Sequence, residues 1–181
     1  MPAPSKRARI LESAARIVET DGAAHLTIDA VAAAASVSKG GVLYHFPTKQ
    51  ALLEGMLERL IEDIGSRTEA WRASHPAERN AALLARIVEE HEQRPTERAM
   101  SRAILAAAAE NPELLDGARL VVEQSFSEGA EGTQPTEMGW ILLLAVEGLR
   151  FLDMLKLLPL SSSERSRVHD YMLALAREHA R

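Results

Sequence analysis

The chain has 181 residues, 46% hydrophobic and 26% charged, and no cysteine. That balance belongs to a globular chain with enough apolar side chains for a core, and the lack of cysteine excludes disulfides and thiolate metal sites. Net charge is −5, but the first 50 residues hold six Lys/Arg against four Asp/Glu, a local +2 that leaves −7 for the rest. This is a basic head on an acidic body, the distribution a nucleic-acid binder needs even when its total charge is negative.

The basic stretch Met1–Arg9 is not followed by an apolar run, so no secretory signal is expected. Ile10, Leu11, Ala14, Ile17 and Val18 recur at helical spacing, and Asp21-Gly22 ends that helix. Thr27 is placed to cap a second helix, with Leu26 and Val31 as a hydrophobic staple across the cap. That helix runs to about Ala34. After the turn Ala35-Ser36-Val37, Ser38 caps a third, short helix with Val37 and Val42 in the same staple register. Phe46-Pro47 breaks it near His45, and Thr48 opens a fourth.

The fourth helix carries Leu52, Leu53, Met56, Leu57, Leu60, Ile61 and Ile64 and is expected to reach about Trp71, before the break Ser74-His75-Pro76. Leu83, Leu84, Ile87 and Val88 mark a fifth, ended at Arg94-Pro95, and Thr96 opens a sixth. Asn111-Pro112 introduces a seventh with Leu114, Leu115, Ala118, Val121, Val122 and Phe126 at helical spacing. Gly129–Pro135 reads as a loop. Thr136 then begins a very apolar helix, and Ser161 with Glu164 forms a capping box for the last. The apolar run Trp140–Leu158 approaches spanning length, but Glu147, Arg150, Asp153 and Lys156 interrupt it, so a helix buried by protein is expected rather than a membrane span. Those four charges most simply pair at i,i+3 on the helix surface. The reading is all-α, about nine helices: a three-helix N-terminal module over 1–50 and a helical body over 51–181.

Residues 27–49 have the layout of a helix-turn-helix, two helices joined by a short turn with the second beginning at a capped serine. In that layout the N-terminal end of the second helix enters the major groove. Ser38, Lys39, Gly40 and Gly41 crowd this end with a hydroxyl, an ammonium and exposed amides. Two glycines inside a short helix cost about 1 kcal/mol each, so they serve something other than stability, and close approach to DNA is the natural use. Tyr44 and His45 can donate to phosphate oxygens. Thr27 and Lys49, at the starts of flanking helices, can meet the sugar-phosphate backbone.

The segment Ser36-Val37-Ser38-Lys39-Gly40-Gly41-Val42-Leu43-Tyr44-His45-Phe46-Pro47-Thr48-Lys49-Gln50-Ala51-Leu52-Leu53 resembles the TetR family of bacterial regulators, with Asp21-Gly22 and Thr27 in matching places. The likeness covers about residues 6–56. It implies a homodimeric all-α repressor paired through its last two helices, and it implies that Thr27, Ser38, Lys39, Gly40, Tyr44, His45 and Lys49 are DNA contacts. Leu43 stands where many members have a DNA-contacting tyrosine, and an inward-packed Leu43 is one expectation.

The implied function is a cytoplasmic, ligand-responsive repressor that binds a pseudo-palindromic operator as a dimer and is released by a small-molecule inducer. An activator, or a regulator without inducer, would share the same head. The inducer's identity is not carried by the resemblance. Apolar and aromatic body residues supply candidates for its pocket: Trp71, His91, Met100, Ile104, Phe126, Trp140 and Phe151. No nucleophile–base–orienter set, phosphate loop or metal-ligand cluster is read, so no enzyme, cofactor or metal is expected.

Overall fold

The computed structural model describes residues 5–181; the first four residues of the expected N-terminal module, and of the basic stretch, lie outside it. Nine α-helices account for the described residues together with two short 3₁₀ turns, as the all-α reading expects. The packing divides into two compact units.

The first unit comprises the described residues up to Glu62 together with Arg94–Ala118. It holds α1 (Lys6–Thr20), α2 (Ile28–Ala35), α3 (Lys39–His45), the first half of α4 (Lys49–Ser74), and α6 (Pro95–Ala108). The second unit comprises Asp63–Gln93 and Arg119–Arg181. It holds α5 (Ala81–His91), most of α7 (Asp116–Glu131), α8 (Thr136–Met154) and α9 (Ser162–Glu178). Packing therefore assigns α6 to the same unit as the three N-terminal helices, whereas the division at residue 50 separates them.

In the first unit α1 buries Ile10, Leu11, Ala14, Ile17 and Val18, and packs on α2 and α6. Met100 and Ile104 of α6 are buried in this core. Gly22, with φ of +89°, turns the chain at the end of α1 through a conformation costly for other residues. Phe46 is buried at the end of α3, and a Cβ on Gly55 of α4 would stand 2.6 Å from its ring. The missing side chain at Gly55 is thus what lets α4 lie against Phe46. Arg7 covers the same ring at 5.4 Å, and Arg9 donates to the carbonyl of Ala35 at 2.7 Å, tying α1 to the end of α2.

In the second unit Leu83, Leu84 and Ile87 of α5 pack with Leu142, Leu143, Val146 and Leu149 of α8 and Met172 and Ala176 of α9. Three local departures from the sequence reading have physical causes. α7 runs through Gly129 to Glu131, because Gly129 is a packing site: a Cβ there would meet Leu143 at 2.6 Å. α6 begins at Pro95, one residue before Thr96, with the Arg94 amide donating to Glu97 at 3.1 Å. Asn111-Pro112 opens a 3₁₀ turn, Pro112–Leu115, ahead of α7.

The charges on α8 pair chiefly across helices. Arg86 donates to Glu147 at 2.7 Å and Arg150 to Glu89 at 2.5 Å. Arg165 bridges Asp153 at 3.0 Å and Glu90 at 2.7 Å. The i,i+3 pair Glu147–Arg150 is longer, 3.8 Å. Lys156 lies beyond the helix end with φ of +58°. No helix among the described residues is long and apolar enough to cross a membrane.

Candidate nucleic-acid interface

Three successive helices begin with a hydroxyl cap. Thr27 Oγ1 accepts from the Ala30 amide at 3.1 Å, Ser38 Oγ from Gly41 at 3.0 Å, and Thr48 Oγ1 from Ala51 at 3.0 Å. Each cap satisfies one of the free amides of its first turn and leaves others available at an electropositive helix end. Leu26, Val31, Val42 and Phe46 are buried. The staples therefore seat α2 and α3 on the core and fix which way the polar residues face.

On α3 the inward residues are Val42, and Phe46 just past its end; Ser38, Lys39, Gly40, Leu43 and Tyr44 are exposed, and Gly41 and His45 are partly so. Tyr44 is 84% exposed, its phenol far from the core and its ring edge-on to His45 at 5.1 Å. Nothing lies within 4 Å of where a Gly40 Cβ would sit, so that position is open to an approaching surface. Gly41 differs: a Cβ there would stand 3.3 Å from Ser38 Oγ, so its lack of side chain protects the cap. Leu43 is 37% exposed on the outer surface rather than packed inward.

Lys39 Nζ sits 3.0 Å from Asp29 of α2, a pair exposed on both sides. Thr48 opens α4 as its place in the sequence predicts, whereas Asp29 as a partner of Lys39 carried no signal in the sequence. Thr27 and Lys49 are exposed at the starts of α2 and α4. The eight expected contacts thus fall on two adjoining helix starts and along α3, all within one compact unit.

The seven candidate pocket residues do not gather in one place. Met100 and Ile104 are enclosed in the first unit because their face of α6 packs toward α1. Trp71 and Phe126 pack against the core of the second unit, Trp71 also stacking on His75 at 4.1 Å. His91 stacks on His169 at 4.2 Å, and its Nδ1 is buried without a hydrogen-bond partner. Burial, then the neighbouring His169 and Arg165, hold the His91 pKa below its usual range, while Asp170 and Glu92 pull the other way. Trp140 and Phe151 stand outward on α8, 44% and 51% exposed. A groove of about 450 Å³ in the first unit is lined by Leu26, Leu53, Leu114, several alanines and Lys49; none of the seven lines it.

The second unit also holds a buried charge sequence reasoning did not single out. Glu90 is 1% exposed; burial raises its pKa, and the paired Arg165 works against that rise.

Comparison with known proteins matches an N-terminal and a C-terminal segment; the latter includes Arg94–Ala118, which packs in the first unit. Residues 10–56 match the model for bacterial regulatory proteins of the tetR family, and residues 79–177 match the tetracyclin repressor-like C-terminal domain. The HTH-type transcriptional repressor KstR of Rhodococcus jostii is 31% identical over 134 residues, 73% of this chain and 63% of that protein. The nucleoid occlusion factor SlmA of Aliivibrio fischeri is 37% identical over 65 residues, 35% of this chain and 33% of its own length. The matches therefore span less than two thirds of these relatives. Among solved structures, a transcriptional regulator from Rhodococcus sp. Rha1 superposes with TM-score 0.78 at 20% identity, over 97% of this chain and 98% of its own. The multidrug binding protein EbrR complexed with ethidium gives 0.68 at 25% identity, over 96% and 99%. With both its N-terminal and its C-terminal segment matched, the chain belongs to the TetR family of DNA-binding transcriptional regulators.

Proposed function

We propose that the protein is a cytoplasmic, ligand-responsive repressor that grips a pseudo-palindromic operator as a homodimer and lets go when a small-molecule inducer binds. The observation that carries this reading is the outer surface of α3: a capped helix start with Lys39 and Gly40 exposed, and Tyr44 projecting beyond them. Thr27, Ser38, Gly41, His45 and Lys49 complete the DNA surface. Phosphate contacts from Lys49, Tyr44 and Thr27 provide affinity, and the start of α3 reads base edges.

Dimer formation is assigned to α8 and α9. Trp140, Ile141, Leu144 and Phe151 leave an apolar stripe on the outer face of α8, and Tyr171 is exposed on α9. A symmetric pair would present its recognition helices about 34–36 Å apart, one turn of DNA. Ligand sensing is assigned to the helical body, residues 51–181. EbrR, of similar fold, was solved bound to ethidium, which supports a ligand-binding body. Ligand and operator are then coupled, typically by about 1–3 kcal/mol.

The test is a salt-titrated mobility-shift assay of the purified protein on the DNA flanking its own gene, beside a scrambled duplex. Selective binding by two protomers, falling steeply with salt, is the expected result. Equal retention of both duplexes, followed by failure of random-site selection to enrich any sequence, would overturn the reading.

A further inference from the structure

We infer that Leu43 reads the C5-methyl group of a thymine in each operator half-site; the inference rests on the DNA-binding reading of α3. Lys39, Gly40 and Leu43 are related by one residue and by one helical turn, so they share a side of α3. Val42 and Phe46 are buried, whereas Leu43, on the flank between them and the 84% exposed Tyr44, keeps 37% of its surface exposed. An exposed leucine by itself is ordinary. On this side it has a definite chemical consequence.

Leucine neither donates nor accepts a hydrogen bond. It cannot hold a phosphate, and it cannot bond to the N7, O6, O4, N6 or N4 groups that line the major groove. Set against any of those, it would strip water from a polar edge and return nothing. The apolar group that projects into the major groove is the thymine methyl; the C5–H of cytosine at the same place is smaller and offers less contact. Leu43 therefore discriminates twice, by contact with the methyl and by the cost of meeting any other base edge. The open space over Gly40 leaves room for a base edge to come close to this side of the helix. Lys39, Tyr44 and Lys49 carry the charge and the polar donors, so Leu43 contributes to sequence preference and not to the electrostatic part of affinity.

The experiment uses the full chain. Sites are first selected from random duplex DNA. Each thymine of the selected half-site is then replaced in turn by deoxyuridine, which removes only the methyl. Wild type, Leu43→Ala and Leu43→Met are compared, with thermal melts to establish that all three fold. The wild type should weaken about four-fold at one thymine per half-site, the worth of one buried methyl. Leu43→Ala should be indifferent to uracil there, select a relaxed site at that position and keep the wild-type salt slope. Leu43→Met should restore the methyl response.

A wild type that binds its site but ignores every methyl would overturn the inference and leave the DNA-binding reading standing. So would a Leu43→Ala variant that keeps the wild-type pattern of responses, or one that loses all sequences equally. A wild type that enriches no site would overturn both.

Discussion

Asp29 holds the Lys39 ammonium at 3.0 Å on the side expected to meet DNA. An exposed pair of this kind is worth at most about 1 kcal/mol, so phosphate competes with it easily. The carboxylate that remains is a like charge facing the duplex. Asp29→Asn should therefore raise DNA affinity several-fold at low salt, with the gain shrinking as salt rises; unchanged binding at every salt concentration would remove Lys39 from the interface. Lys49→Ala should act oppositely, weakening all sequences alike and flattening the log–log salt dependence by about 0.9 per lost contact. In the second unit, His91 supplies a residue whose effect depends on pH. Its depressed pKa means that the fold favours the neutral ring. The stability this contributes is present above about pH 6.5 and is lost as pH falls toward the lower folded value. Glu90, raised by burial, has the reverse sign and gains on acidification. The comparison of wild type with His91→Gln isolates the histidine: between pH 7 and 5 the wild-type melting temperature should fall more steeply. Parallel curves would mean that His91 does not titrate against the fold.

At the scale of elements, the turn between α2 and α3 contains a testable strain. Ser36 has φ of +53°, and the Val37 amide closes the end of α2 by donating to the Ala32 carbonyl at 3.0 Å. A left-handed serine costs about 1–2 kcal/mol that glycine avoids, less the greater freedom glycine has when unfolded. Ser36→Gly should raise the melting temperature by a few degrees without altering operator preference; a fall would show that the serine hydroxyl supports the turn. The same turn shows what was legible beforehand. Caps and staples at Thr27, Ser38 and Ser161 were readable because each involves residues within a few positions of one another. Gly129 was misread as a loop because a glycine needed for close packing on Leu143 looks, locally, like one needed for a turn. The charges of α8 were read as surface pairs because their partners Arg86, Glu89 and Arg165 lie on other helices, 61 residues away for the first two. Periodicity placed Met100 and Ile104 inward, but it carries no information on which core an inward residue joins.

For the whole molecule, the exposed stripe on α8 is the feature that a lone chain leaves unresolved. Leu144, 61% exposed, lies between Ile141 and Phe151 along it. Gly148, within the stripe, has nothing within 4 Å of its would-be Cβ, so another backbone can come close there. Burying one leucine stabilises by about 1.5–3 kcal/mol, and a two-fold axis counts it twice. A charge at the same place would lose that contribution and oppose its own symmetry mate. Leu144→Glu should therefore raise the dimer dissociation constant about a hundred-fold or more, read by sedimentation across a dilution series, while each protomer keeps its helical content and a cooperative melt. DNA binding should weaken with it. One head on one half-site forgoes the linked second contact, so affinity for the full operator should drop toward that for a half-site. A variant that stays dimeric and binds as the wild type does would move the interface off α8. A variant that becomes monomeric yet keeps full operator affinity would instead show that the two half-sites are occupied independently, and the proposed coupling between body and heads would have no dimer to act through.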